Sequence, residues 1–179
     1  MNAKNRLDSY INKIVIIIFM TFFIAIPGSN AEPTISVTPE TIRLGIAKTA
    51  ETDIIFQGKG FTPGDSVFIK ILDVHKDGKR IDIPIADSRI DPDGQFKTEM
   101  DILVKVAELL RADIGMDDNF ENIIIVKNKP IEAGLYSIKA ISMESDKTAE
   151  CKLGIKDPGI LDSLKDWIGG LLGKIKKES

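Results

Sequence analysis

The stretch "GKGFTPGDSVFIKI", residues 58–71, sets a glycine-proline hinge directly against a run of alternating Val67, Ile69 and Ile71. Side chains two apart on an extended chain point to the same face, so this alternation predicts a strand with one buried and one wet side. In the hinge, Gly58, Gly60 and Gly64 supply backbone freedom and Pro63 fixes φ at a turn. Asp65 is placed to accept a hydrogen bond from the local backbone before the strand begins. A phosphate cradle would need a lysine and a hydroxyl and would open a helix, whereas this segment joins two strands. It reads as a structural turn that starts a β-protein.

The same period of two runs through most of the chain. Ile35 and Val37 begin it, and "DIIFQG" (53–58), "DSVFIKILDV" (65–74) and "RIDIPIA" (80–86) follow. "GQFKTEMDI" (94–102) sets Phe96, Thr98, Met100 and Ile102 against Lys97, Glu99 and Asp101. "NIIIVKN" (122–128), "GLYSIKAIS" (134–142) and "TAECKLGIK" (148–156) complete about eight strands divided by turn signals, the pattern of an antiparallel β-sandwich. "HKDGKR" (75–80) and "DPDG" (91–94) read as turns. One segment departs from this. Val106, Ala107, Leu110 and Ile114 fall at helical spacing, which predicts a short helix over about 103–114 covering an edge or open end of the sheets.

The N-terminus carries Lys4, Arg6 and Lys13, then a 13-residue run from Ile14 to Ile26 that is apolar except for Thr21, then Pro27, Gly28 and a small-residue site at Ser29 and Ala31. That order predicts a signal peptide over residues 1–31, cleaved after Ala31, because the apolar run falls short of the roughly 20 residues that cross a bilayer. Cleavage leaves 148 residues, enough for one domain with a real core, and moves the net charge from −3 to −5. An acidic exported chain is a poor nucleic-acid binder. Cys151, the only cysteine, excludes an intrachain disulfide, and its phase with Ala149, Leu153 and Ile155 predicts a buried structural thiol.

Catalytic chemistry needs a nucleophile, a base and an orienting group in one place. The one histidine, His75, sits at a predicted hairpin tip beside Lys76, Asp77 and Lys79, where it reads as a solvated turn residue. No His/Cys metal spacing and no cofactor motif occurs. Carboxylates at Asp91 and Asp93, and at Asp117, Asp118 and Glu121, suit calcium in type, yet aspartates in turns serve first as local hydrogen-bond acceptors. The expectation is that the chain is not an enzyme.

The order of "ISVTP", "GKGFTPGDSVFI", "IDPDGQF", "AGLYSIKA" and "TAECKLGI" resembles the immunoglobulin-like β-sandwich modules of bacterial and archaeal exported and cell-surface proteins. The resemblance spans about residues 34–156 and implies a sandwich over 32–156. It implies for Tyr136 the role of a corner tyrosine whose hydroxyl ties down a neighbouring turn. Such sandwiches serve as spacers, adhesion units and accessory modules, so the resemblance speaks to fold more than to task.

The tail, "DPGILDSLKDWIGGLLGKIKKES" (157–179), carries the clearest functional signal. Asp157 reads as an N-cap and Pro158 as the first helical residue. Ile160, Leu161, Leu164, Trp167, Ile168, Leu171, Leu172 and Ile175 then form one apolar stripe, with Asp162 and Asp166 early and Lys174, Lys176 and Lys177 late. Gly169, Gly170 and Gly173 each weaken a helix by roughly 1 kcal/mol, so the helix needs a surface. The stripe can be buried on its own domain, on a partner or second copy, or on a membrane surface, contact residues in the last two cases being Leu161, Leu164, Trp167, Ile168, Leu171, Leu172 and Ile175. The expected function is a non-catalytic exported binding or structural module of the cell envelope, periplasmic, cell-surface or secreted. The alternative is a membrane-acting effector whose tail perturbs bilayers.

Overall fold

The computed structural model describes residues 32–76 and 78–178. The expected signal peptide lies outside these residues. The order is β1 (Thr34–Thr38), β2 (Thr41–Arg43), α1 (Ile46–Glu51), β3 (Ile55–Lys59), β4 (Ser66–Lys76), β5 (Lys79–Arg89) and β6 (Phe96–Glu99). Then follow α2 (Ile102–Val104) with a π-helical turn (Lys105–Leu109), β7 (Ala112–Met116), β8 (Asn122–Val126), β9 (Gly134–Ser142), β10 (Thr148–Lys156), α3 (Ile160–Leu171) and β11 (Ile175–Lys177). The protein is mainly β, and its strands form three open sheets, ordered β1-β3-β6, β2-β10-β9-β4-β5 and β11-β8-β7.

Alternation decides what is buried. Val67, Ile69 and Ile71 of β4, Ile83 and Ile85 of β5, Ile138 and Ala140 of β9, and Leu153 and Ile155 of β10 join Ile35, Val37, Phe56 and Phe96 of the β1-β3-β6 sheet in one core. A bulge between Ile71 and Val74, with Asp73 at φ 55°, keeps Val74 buried after the strict alternation ends. The pairing is antiparallel except at two sheet edges, where β2 runs parallel to β10 and β11 parallel to β8. Both exceptions are three-residue strands and neither was expected.

Residues 60–65 of the hinge form a turn, while Gly58 and Lys59 are the end of β3, paired with Ile35 and Thr34. Gly60 and Gly64 both sit at φ 82°, and the backbone of Phe61 and Gly64 bonds to the carbonyls of Gly94 and Ile90. Asp65 does more than start a strand. Its buried carboxylate accepts from Ser66 N at 2.6 Å, from Ser145 N at 3.0 Å and Oγ at 2.8 Å, and from Glu144 N at 3.1 Å, tying the turn to the β9–β10 connection. Burial pushes its pKa up, but the Ser145, Ser66 and Glu144 hydrogen bonds together outweigh this and hold it below 3.8. A depressed carboxylate stabilises the fold above its unfolded pKa, and that contribution is lost as the pH falls through the folded value. Thermal melts in acid should therefore show stability falling below about pH 4. Asp65→Asn should melt lower at neutral pH and lose less on acidification, whereas unchanged acid dependence in the variant would contradict this role.

The helix expected over 103–114 is shorter and differently wound. Asp101 caps Leu103 N at 2.7 Å, and α2 passes into the π-helical turn, closed by Leu110 N donating to Lys105 O at 3.2 Å. Arg111, at φ 51°, ends it. Ile114, in helical phase by sequence, stands in β7 opposite Ile124, because the β7–β8 ladder satisfies its backbone. Cys151 is half-buried rather than buried, and burial pushes its thiol up to about 11. Tyr136 Oη donates to Glu132 O at 2.8 Å, four residues upstream, which ties down the entry to β9.

Candidate interaction surface

The tail helix begins two residues later than its sequence suggests. Gly159 is the N-cap, and Asp162 Oδ2 reaches back to accept from Gly159 N at 2.8 Å. Gly173, at φ 72°, turns the chain out of the helix, with Lys174 N donating to Gly169 O at 2.9 Å. The chain then leaves helical geometry. Ile175, Lys176 and Lys177 pair with Ile124, Ile125 and Val126 as β11, so Ile175 is not on the helical stripe. It packs against Gly169, where an added Cβ would lie 2.8 Å from Ile175 Cδ1.

The helix docks by its polar face. Asp166 accepts from Ile46 N at 2.9 Å through Oδ2 and from Ala47 N at 3.0 Å through Oδ1, satisfying two amides that begin α1 and have no partner within it. Asp162 packs so closely on Gly45 that a Cβ there would fall 2.6 Å from Asp162 Cβ. At the other end of α1, the buried Lys105 donates to Thr52 O at 2.9 Å and Ala50 O at 3.5 Å, with Glu99 Oε1 at 3.6 Å. This short helix is thus held by a carboxylate on its first amides and an ammonium on its last carbonyls. In sequence Lys105 lies between the apolar positions of the 103–114 pattern, and the π-helical turn brings it inside.

With its acids turned inward, α3 presents its apolar stripe to the outside. Exposure runs from 43% at Ile168 to 89% at Ile160, with Leu161, Leu164, Trp167, Leu171 and Leu172 between. Six of the seven expected contact residues therefore stand on the outer surface, and Ile175 alone is turned in. An open groove beside the helix has Leu44, Leu110 and Val126 in its lining, but α3 offers it Asp166, not the stripe. Lys174 pairs with Glu121, fastening the helix end to the β7–β8 turn.

The other candidates do not converge. Asp91 accepts from the amides of Asp93 and Gln95, and Asp117 from those of Asn119 and Glu121, as turn aspartates do. His75 lies in β4 opposite Arg80 and is exposed. Among the described residues, no group of three or more His, Cys, Asp or Glu side chains is placed to hold a metal ion.

No protein-family model matches the chain, and no curated protein matches it. Solved structures similar to it include macromomycin, at 15% identity and a TM-score of 0.37 over 69% of this chain and 98% of that one. A tetra-tandem repeat from the extending region of a large adhesion protein shares 14% identity at a TM-score of 0.36, over 70% of this chain and 24% of that one. A β-glucosidase from Listeria innocua in complex with gluconolactone shares 11% at 0.35, and the match spans 70% of this chain but 16% of the enzyme. These likenesses are consistent with a β-rich fold and carry no argument about activity. The expectation that the chain is not an enzyme is not upheld: the similar structures include a β-glucosidase, at an identity and coverage too low to assign this chain any activity.

Proposed function

We propose that the chain is an exported module of the cell envelope, an immunoglobulin-like sandwich that attaches to a membrane surface through the outer face of α3. The observation that carries this reading is the orientation of α3, whose apolar side chains face outward while its acids bind the body. The sandwich reading is supported by the core shared between the five-stranded and β1-β3-β6 sheets and by the Tyr136 hydroxyl tying down the turn before β9. At 12 residues α3 is about 18 Å long, too short for a hydrocarbon core of roughly 30 Å. Among the described residues, no helix is long and apolar enough to cross a membrane. An amphipathic helix of this length lies in the interface plane.

Cell fractionation with sequencing of the mature N-terminus tests the proposal. The expected result is a chain beginning at Glu32 that sediments with the envelope. A cytosolic chain retaining residues 1–31 would contradict export. Vesicle binding without dye release is the accompanying expectation, and leakage would favour the bilayer-perturbing effector.

A further inference from the structure

We infer that the α1–α3 clamp is an orienting device for an anionic lipid surface: it withdraws the tail's two acids and fixes the apolar face outward on a tail whose exposed charges are mainly lysines. The inference rests on the membrane reading and adds to it the headgroup charge and the role of Asp166. In sequence, Asp162 and Asp166 would oppose binding to anionic lipid. In the structure both are half-buried against α1, and Asp166 has each oxygen on a backbone amide. From Ile160 to Glu178 the exposed charged residues are Lys165, Lys174, Lys176, Lys177 and Glu178, four lysines to one acid, with Lys174 also paired to Glu121.

That charge pattern selects the occupant. A second copy stacked on this face would set lysines near lysines around the apolar contact, and like charges disfavour it. An anionic leaflet matches this excess of lysine, each lysine that reaches the surface unpaired adding about fivefold in affinity and losing that share as salt rises. Preorganisation adds to this. A free amphipathic peptide orders its helix on binding, and this one carries Gly169, Gly170 and Gly173 against that ordering. Held by Asp166, by Gly169 on Ile175 and by β11, α3 is ordered and aimed before it meets the bilayer.

The mature chain and two variants, with vesicles of phosphatidylcholine alone or mixed with phosphatidylglycerol, test this by sedimentation. Wild type should bind the mixed vesicles at least tenfold more tightly, with the advantage shrinking in high salt. Asp166→Ala removes a negative charge and improves helix propensity, so a freely folding tail would bind more tightly. The inference requires the opposite sign, a severalfold weakening with the melting transition retained. If Asp166→Ala does not fold, Lys165→Glu at an exposed site decides: binding to mixed vesicles should fall on the order of 25-fold and binding to phosphatidylcholine should stay unchanged. Equal or tighter binding by Asp166→Ala overturns the orienting role, and equal wild-type affinity for both vesicles overturns the headgroup charge. Binding to neither overturns the membrane reading itself.

Discussion

Replacing Trp167 and Leu171 together by aspartate should abolish sedimentation with anionic vesicles and leave the melting transition in place. The two side chains are 62% and 68% exposed, so their loss removes little packing from the body, and substitutions at such sites usually change stability by less than about 0.5 kcal/mol. On a bilayer they become the middle of the buried face. Each large apolar side chain then contributes up to about 1.5–3 kcal/mol, and a carboxylate in its place adds a desolvation penalty. A net loss of about 3 kcal/mol or more corresponds to at least about 100-fold in affinity. Sedimentation and thermal melting on the same sample check both halves. A variant that binds as wild type would remove the stripe from the interface, and one that unfolds would place the stripe in the protein's own core.

Lys105→Met should lower the melting temperature more than any change to the exposed face of the tail. The ammonium is 4% exposed and donates to Thr52 O and Ala50 O, beside Glu99. A hydrogen bond to a charged group contributes about 1.5–3 kcal/mol, and an orphaned buried carbonyl costs about 1–3 kcal/mol. Methionine fills much of the volume and recovers part of this, which leaves a net loss of about 3 kcal/mol. For a domain of this size that is a drop of roughly 6–12 °C. Lys105→Arg should be intermediate, since its charge persists but its planar fork fits three-way oxygen contact less well. A melting temperature within about 2 °C of wild type for Lys105→Met, well below the expected drop, would show that the α1 carbonyls find other partners.

The strands were legible because alternation is local: Val67, Ile69 and Ile71 announce a half-buried strand without reference to anything distant. What local pattern does not contain is the partner. Ile114 and Ile175 both fall at helical spacing, yet each joins the β11-β8-β7 sheet, because a backbone ladder with β8 outweighs a weak helical preference. The inward turn of Lys105 depends on carbonyls 53 and 55 residues away, and the reach of Asp65 spans 80 residues to Ser145. The tail's apolar stripe was equally plain in the sequence. Its direction was not, because that is set by Gly45 and the first amides of α1, 120 residues before Asp166.

Trp167 is the only tryptophan in the chain, so its fluorescence reports on the outward face of α3 and on nothing else. The account predicts that the free protein emits as a solvent-exposed indole quenched by iodide. Adding vesicles containing phosphatidylglycerol should shift the emission to the blue and protect it from the quencher. Emission already blue and protected without lipid, or unchanged when lipid is added, would contradict the claim that this face is held open for a membrane.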